Sequence, residues 1–517
     1  MPEIGASKQL SPCIHEELKG LKILVTDLDL QQTEHRGIAV YSKSLLRALQ
    51  MSGAEVWLLT DIYAHNKKLR HLPGEAQSLI ETANILDQLA NGKDSAAQQC
   101  LLTLKEAGRG KMKKLFLLTR LLLLKVRAAV ERLTVIAWPK RIYRRGDIRL
   151  LTLNHYDSPY ARHERLNYTR HLQGIVSTKN LYASSNMLAR QPKPVSVEIR
   201  LGEDFDALIT TCPLNMRSCP ELAFIQTVHD IIPLEYTAHP DHASAALFSQ
   251  RLASCCAANK LYVSEATRKK FETVYPEPTG HVGSTIVQPP SLCIGSEFEY
   301  FANSRRNIRI ANGTSKETTE LKSFEYLLFN SSVEPRKNLL FLLRAFSNSG
   351  LDQDGIRLCI TGKLKKDNHS LAIASADKGS VVITNYIDEA TKAELFLNAL
   401  CILSPSLVEG FGIPVLDAAS LGAQVIASTT EPHKEIRKIH DFSDYITLSE
   451  MDSTATWASA MRSCARSEQK RITCTKQERS DRIRRYTERS ALISEDFRKA
   501  IVRSIMEARR KRTDFMN

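Results

Sequence analysis

This chain of 517 residues lacks the features that let a protein hold together without a packed core. Only 22 glycines and 19 prolines are present, too few for a collagen-like or low-complexity chain. There is no internal repeat and no sustained biased tract. The 11 cysteines include no CxxC pair and no Cys/His spacing suited to zinc, so they read as reduced thiols rather than a disulfide framework or a metal site. The longest leucine-rich run, around Leu115–Lys125, falls well short of the roughly 20 apolar residues that cross a bilayer. The N-terminus carries Pro2, Glu3, Glu16 and Glu17 where a signal peptide would have a continuous apolar stretch. These absences predict a cytoplasmic protein.

What is present is ordinary for a soluble globular protein, with 43% apolar and 25% charged residues. The length exceeds what one hydrophobic core usually supports, which predicts two domains. The net charge of +14 is uneven. Between Arg109 and Arg145 lie Lys111, Lys113, Lys114, Arg120, Lys125, Arg127, Arg132, Lys140, Arg141 and Arg144 against one acid, Glu131. As a helix this segment sets its basic residues beside an arc of Leu115, Leu122, Val126, Ala129, Val130 and Leu133. Two readings stay open: a helix lying on an anionic membrane through 109–145, or a helix packed on the N-terminal domain. The leucine content argues against a nucleic-acid surface.

Along the chain, short apolar runs alternate with helical patterns. Leu21–Leu28 and Glu55–Leu59 predict strands flanking a helix that starts near Gly37. The rhythm breaks over 71–145, read as a basic helical insertion, and resumes at Ala207–Thr210, Ala223–Val228 and Lys260–Val263. The polar stretch 303–322 reads as a linker. Strands are then predicted at Tyr326–Asn330, Arg357–Thr361, Val381–Thr384, Cys401–Ser404 and Gln424–Ala427. Strand ends followed by polar residues are where doubly wound sheets bind ligands.

One such end is the sharpest segment: Pro405-Ser406-Leu407-Val408-Glu409-Gly410-Phe411-Gly412-Ile413-Pro414-Val415-Leu416-Asp417. Two acids flank a glycine loop. Pro414 suits a first helical turn, and a helix N-terminus behind glycines favours a diphosphate. This segment resembles the signature PSxxEGFGxPxxE of the retaining GT-B enzymes of glycosyltransferase family 4, and Gly422-Ala423-Gln424-Val425-Ile426-Ala427-Ser428 resembles the strand that follows it. Glu334-Pro335-Arg336-Lys337-Asn338-Leu339 is similar to the family's EPRKNL segment. Val228-His229-Asp230-Ile231-Ile232-Pro233-Leu234 is similar to its VHDLIPL segment, and Gly37-Ile38-Ala39-Val40-Tyr41 to its first glycine loop.

The resemblance implies an α/β GT-B fold, two Rossmann-like domains facing a central cleft. Its divisions would be a tail over 1–20, an acceptor domain over 21–302 holding the insertion, the 303–322 linker, a nucleotide-sugar domain over 323–490, and a C-terminal helix over 491–517 packing back on the first domain. It implies transfer of a hexosyl unit, mannosyl first among candidates, from GDP-mannose or a UDP-sugar to a glycan or polyprenyl-linked saccharide, with retention and without metal or other cofactor. Arg336 and Lys337 would hold the diphosphate, Glu409 the sugar hydroxyls, His229 the sugar from the opposite lobe, and Asp417 the ribose. Gly37, Gly410, Phe411, Gly412 and Ile413 would line the donor site. Three departures stand out: Asp417 replaces the family's usual Glu, Ser331-Ser332 replaces a glycine-led turn, and Asn385-Tyr386 stands where a glycine is common. They motivate the alternative of a non-catalytic GT-B scaffold in a polysaccharide assembly.

Overall fold

The computed structural model describes residues 15–32, 37–63, 71–91, 111–153, 164–236, 244–276, 283–294, 307–311, 318–365, 367–376, 379–384 and 387–516. The apolar runs become two sheets. The first has eight strands, in spatial order Gly283–Thr285, Asn259–Tyr262, Ala223–Val228, Ala207–Thr210, Lys22–Thr26, Glu55–Thr60, Gly174–Ser177 and Arg149–Thr152. All neighbours are parallel except the last pair. The second has six parallel strands, in order Val381–Ile383, Arg357–Thr361, Tyr326–Asn330, Cys401–Ser404, Gln424–Ser428 and Ile446–Ser449. Both are doubly wound: the strand order reverses beside the first strand of each lobe, which opens a crevice at the carboxyl ends of the strands. The strands are buried on both faces, as parallel strands covered by helices must be, so each lobe has its own apolar core. This is the two-lobed GT-B architecture.

Three expected boundaries are corrected. The polar stretch 303–322 is not a bare linker: Asn307–Ala311 and Thr318–Lys322 pair as an antiparallel hairpin, and Ile308, Ile310 and Leu321 enter the second lobe's core. Alternating apolar residues among polar ones are the pattern of a half-buried strand, which the polar composition masked. Residues 303–306 and 312–317 lie outside the described residues. The chain instead crosses between lobes around Val287–Ser291, since Ile286 belongs to the first core and Leu292 to the second.

The span 71–145 is not wholly an insertion either. Helix Gly74–Asn91 places Ile85, Leu86, Leu89 and Ala90 in the first core, and Ile142–Arg144 pairs with Val197–Arg200 in a small parallel sheet. What stands apart is the helix Lys111–Ala137. Leu117, Leu121 and Val135 face inward, whereas Leu118, Leu122, Val126, Val130, Leu133 and Ile136 are exposed, Leu122 by 62% and the following Trp138 by 79%. The side chains of 111–116, 127–128 and 131–132 lie outside the described residues.

The final helix does not begin at 491 but runs unbroken over Thr475–Met516. Ile483, Tyr486 and Ile493 pack in the second core, and Phe497, Ile501, Ile505 and Ala508 in the first.

Candidate functional site

Between the lobes lies a cleft of about 530 Å³, lined from both sides. Its second-lobe wall is built at the end of strand Cys401–Ser404. The chain turns through Glu409–Gly412 into helix Ile413–Leu421, with Pro414 in the first turn, where its missing N–H leaves nothing unsatisfied. Gly412 adopts φ +113°, and a Cβ there would lie 2.9 Å from Cδ2 of the buried His433, so glycine is required by both conformation and space. A Cβ on Gly410 would lie 2.5 Å from the carbonyl oxygen of His229. The loop therefore touches the opposite lobe, where Ser264 Oγ donates to the Gly410 carbonyl at 2.7 Å.

The single turn Pro335–Lys337 sits beside this loop, fastened by the Leu407 N–H donating to the Arg336 carbonyl at 2.8 Å. Lys337 Nζ donates to Glu409 Oε1 in a pair buried on both sides. Ser406 Oγ also donates to Glu409 Oε1, at 2.7 Å, and Arg336 Nη1 lies 3.6 Å from Glu409 Oε2. Arg336 Nε donates to Glu334 at 3.0 Å, and Lys365 lies 3.8 Å from the same carboxylate. Arg336, Lys337 and Lys365 thus face Glu334 and Glu409, with Asp230 of the facing lobe also acting on Arg336. Burial pushes the Glu409 carboxyl up, but Lys337 and Arg336 outweigh it and hold it at about 2. Burial lowers Lys337, offset in part by Glu409. Arg336 is raised, because Glu409 and Glu334 overcome the cost of its burial.

The first-lobe wall carries His229 at the end of strand Ala223–Val228. Its Nε2 lies 2.7 Å from the Thr211 carbonyl. A carbonyl can only accept, so Nε2 carries the hydrogen and Nδ1 keeps its lone pair. The ring meets Tyr41 edge to face at 4.9 Å between centroids. Burial pushes its pKa down, which makes the neutral imidazole the neutral-pH form. Gly37 opens the first helix against Ile413, to which a Cβ would approach within 3.2 Å.

All ten site residues expected from the sequence line this one cleft: Gly37, His229, Arg336, Lys337, Glu409, Gly410, Phe411, Gly412, Ile413 and Asp417. Asp417 differs from the rest in being fully buried, with both carboxylate oxygens accepting from Ser291. Burial raises its pKa against the effect of Lys392 and those bonds. Several lining residues were missed: Asp29, Asp230, Ser291, Glu389 and Lys392. Asp29, at the end of the first strand, lines the cleft and accepts from Thr211 Oγ1 at 3.0 Å. Ser291 carried no signal, since it reaches Asp417 across 126 positions of sequence. Ser331 and Ser332 line the cleft as well, and Asn385-Tyr386 lie outside the described residues.

Residues 313–480 match the family described as glycosyl transferases group 1. Over these residues the chain is similar to that family. Among curated proteins, the serotype-specific mannosyltransferase WbdA of Escherichia coli is 23% identical over 218 residues, covering 40% of this chain and 25% of WbdA. The O-antigen chain mannosyltransferase B of Escherichia coli is 27% identical over 115 residues, covering 22% of this chain and 30% of that protein. The matched stretches thus span about a quarter to a third of those relatives. Among solved structures, sucrose-phosphate synthase from Thermosynechococcus elongatus aligns over 91% of this chain and 96% of its own, at 11% identity and a TM-score of 0.48.

Proposed function

We propose that this chain is a retaining, metal-independent hexosyltransferase that moves a mannosyl unit from a nucleotide sugar, GDP-mannose before a UDP-sugar, to a glycan or polyprenyl-linked saccharide in surface polysaccharide synthesis. The observation that carries the reading is the buried cluster of Arg336, Lys337 and Glu409 beside the N-terminus of helix Ile413–Leu421, with His229 on the facing wall. A departing nucleoside diphosphate develops charge that fixed cations and helix N–H groups stabilise without rearranging. Arg336, Lys337 and the helix hold that diphosphate, so the cations do what a metal does elsewhere. Glu409, kept ionised, accepts from sugar hydroxyls, and neutral His229 meets the sugar from the acceptor side. The bond from the anomeric carbon to the diphosphate oxygen breaks as the acceptor hydroxyl bonds to the same face of that carbon, and its proton passes to the departing diphosphate. The mannosyl assignment draws on the two mannosyltransferase relatives.

The acceptor is brought to the cleft at an anionic membrane surface through helix Lys111–Ala137. Its exposed leucine and valine stripe, flanked by exposed Arg120 and Lys125 and closed by Trp138, supports this placement. No helix among the described residues is long and apolar enough to cross a membrane.

A screen of nucleotide sugars for hydrolysis, paired with thermal stabilisation by the matching nucleotide, tests the donor assignment. Arg336→Ala should lower turnover by roughly 10 to 1000-fold. Hydrolysis of no nucleotide sugar, with no nucleotide raising the melting temperature, would sink the reading and favour a non-catalytic scaffold.

A further inference from the structure

Asp417 stands where the resemblance puts a carboxylate for the donor ribose, but its side chain is occupied. The backbone N–H of Ser291 donates to Oδ1 at 2.5 Å, and the Ser291 hydroxyl donates to Oδ2 at 2.5 Å. One residue thus takes both oxygens, in a setting with no exposed surface. The contact continues outward: Lys392 Nζ donates to Ser291 Oγ at 2.8 Å and lies 3.4 Å from Glu389 Oε2. Next along the chain, the Leu292 N–H donates to Tyr486 Oη at 2.8 Å, and that hydroxyl donates back to the Leu292 carbonyl at 3.0 Å. Ser291 and Leu292 belong to the segment where the chain passes between lobes. Asp417 therefore clamps the crossing segment against the helix Ile413–Leu421, and Ser291 in turn holds the Lys392 ammonium, which lines the cleft. A ribose diol would have to compete with Ser291 for this carboxylate, and displacing the serine would cost its N–H and hydroxyl their acceptors. The shorter aspartate fits this arrangement. A glutamate, one methylene longer, would have to drive into the space the serine holds.

We infer that Asp417 is a positioning residue acting through Ser291 and Lys392, and does not touch the ribose. The inference rests on the donor reading above, and its test separates the two. Binding of GDP, UDP and their 2′-deoxy counterparts is measured calorimetrically for wild type, Asp417→Asn, Ser291→Ala, Ser291→Thr and the Asp417→Asn/Ser291→Ala double variant. Each single loss should weaken the bound nucleotide by about tenfold, and the double variant no further than about twofold beyond either, because residues acting as one unit are not additive. Ser291→Thr, which keeps both donors, should restore binding. The ratio of ribo to deoxy affinity should stay within about twofold of wild type throughout, since no variant removes a ribose contact. A ratio that collapses to one in Asp417→Asn but not in Ser291→Ala would overturn the inference, as would tighter ribonucleotide binding by Asp417→Glu. If wild type binds neither nucleotide, the donor reading fails. Melting temperatures of the same variants then still decide the clamp: losses that do not add in the double variant support it, and losses that add refute it.

Discussion

The second-lobe wall of the cleft and the helix Lys111–Ala137 invert the usual distribution of residues in opposite ways. In the cleft wall, Lys337 and Glu409 are charged and buried. On the helix, Leu118, Leu122, Val126 and Leu133 are apolar and exposed. Ordinary folding produces neither, because buried charge costs solvation and exposed leucine forgoes burial. The difference lies in what satisfies each. The buried ions have partners within the chain, supplied by Ser406, Arg336 and the loop between them. The exposed leucines have no such cover among the described residues, and a contiguous apolar patch of this kind is what a partner or membrane surface would cover.

The sharpest way to break the comparison is to remove one member of the buried pair. Glu409→Ala leaves Lys337 a buried charge without its partner and should cost about 3–5 kcal/mol. Lys337→Met combined with Glu409→Leu should recover most of that while turnover stays abolished. Urea unfolding beside a donor-hydrolysis assay reads both, and additive losses would show that the two ions do not act as a pair.

Acid should attack the same pair and leave the leucines alone. Glu409 titrates at about 2, against an ordinary value of 4.5. A depressed carboxyl adds stability above its unfolded value, and that contribution disappears as pH falls from 4.5 towards 2, on the order of 3 kcal/mol in all. Unfolding free energy should fall with acid across that window, and the slope should be shallower in Glu409→Gln. Equal slopes would mean that the cations are not holding the carboxyl down.

A smaller effect is expected where the glycine loop of the cleft depends on its backbone. Gly412→Ala must accept φ +113° and a contact with His433, at about 1–3 kcal/mol. Thermal unfolding measures this, and an unchanged midpoint would show that the loop rearranges freely.

The smallest stability effect belongs to the helix. Leu122→Ser and Val130→Ser should each shift stability by less than about 0.5 kcal/mol, yet together release the protein from anionic vesicles in a salt-dependent manner. Co-sedimentation with circular dichroism on the same variants distinguishes this from a helix that packs on another part of the protein: unfolding without any wild-type vesicle binding would establish packing.

The sequence made the second lobe legible because its strands are continuous apolar runs. Arg357–Thr361 and Cys401–Ser404 fall where the pattern put them, and the glycines at 410 and 412 announce a close approach that the structure contains. The hairpin at 307–322 stayed hidden because three buried side chains among many polar ones look like a loop. Ile142–Arg144, at three residues, is too short for any periodicity to register. Within the site, what could be read was local: Glu409 and Arg336 sit in strings whose chemistry is visible in a few residues. Ser291, Lys392 and Asp29 reach the cleft through tertiary folding alone, and no spacing along the chain connects them.

The long helix Thr475–Met516 has a mechanical consequence. Arg489 Nη1 donates to the Ala419 carbonyl at 2.9 Å, fastening the helix to one lobe, and Arg498 Nη1 donates to Glu17 at 2.6 Å, fastening it to the other. Within fewer than ten residues the same rod changes its allegiance, and among the described residues the chain also passes between the lobes at Val287–Ser291. Two pins on one edge define a door. The latch is on the free edge: Glu435 accepts from the N–H groups of Glu265 and Ala266 at 2.8 and 2.7 Å, Ser264 reaches Gly410, and Val263 packs into the second lobe's core. Opening the door would exchange those hydrogen bonds, and the packing of Val263 against the second lobe, for solvent.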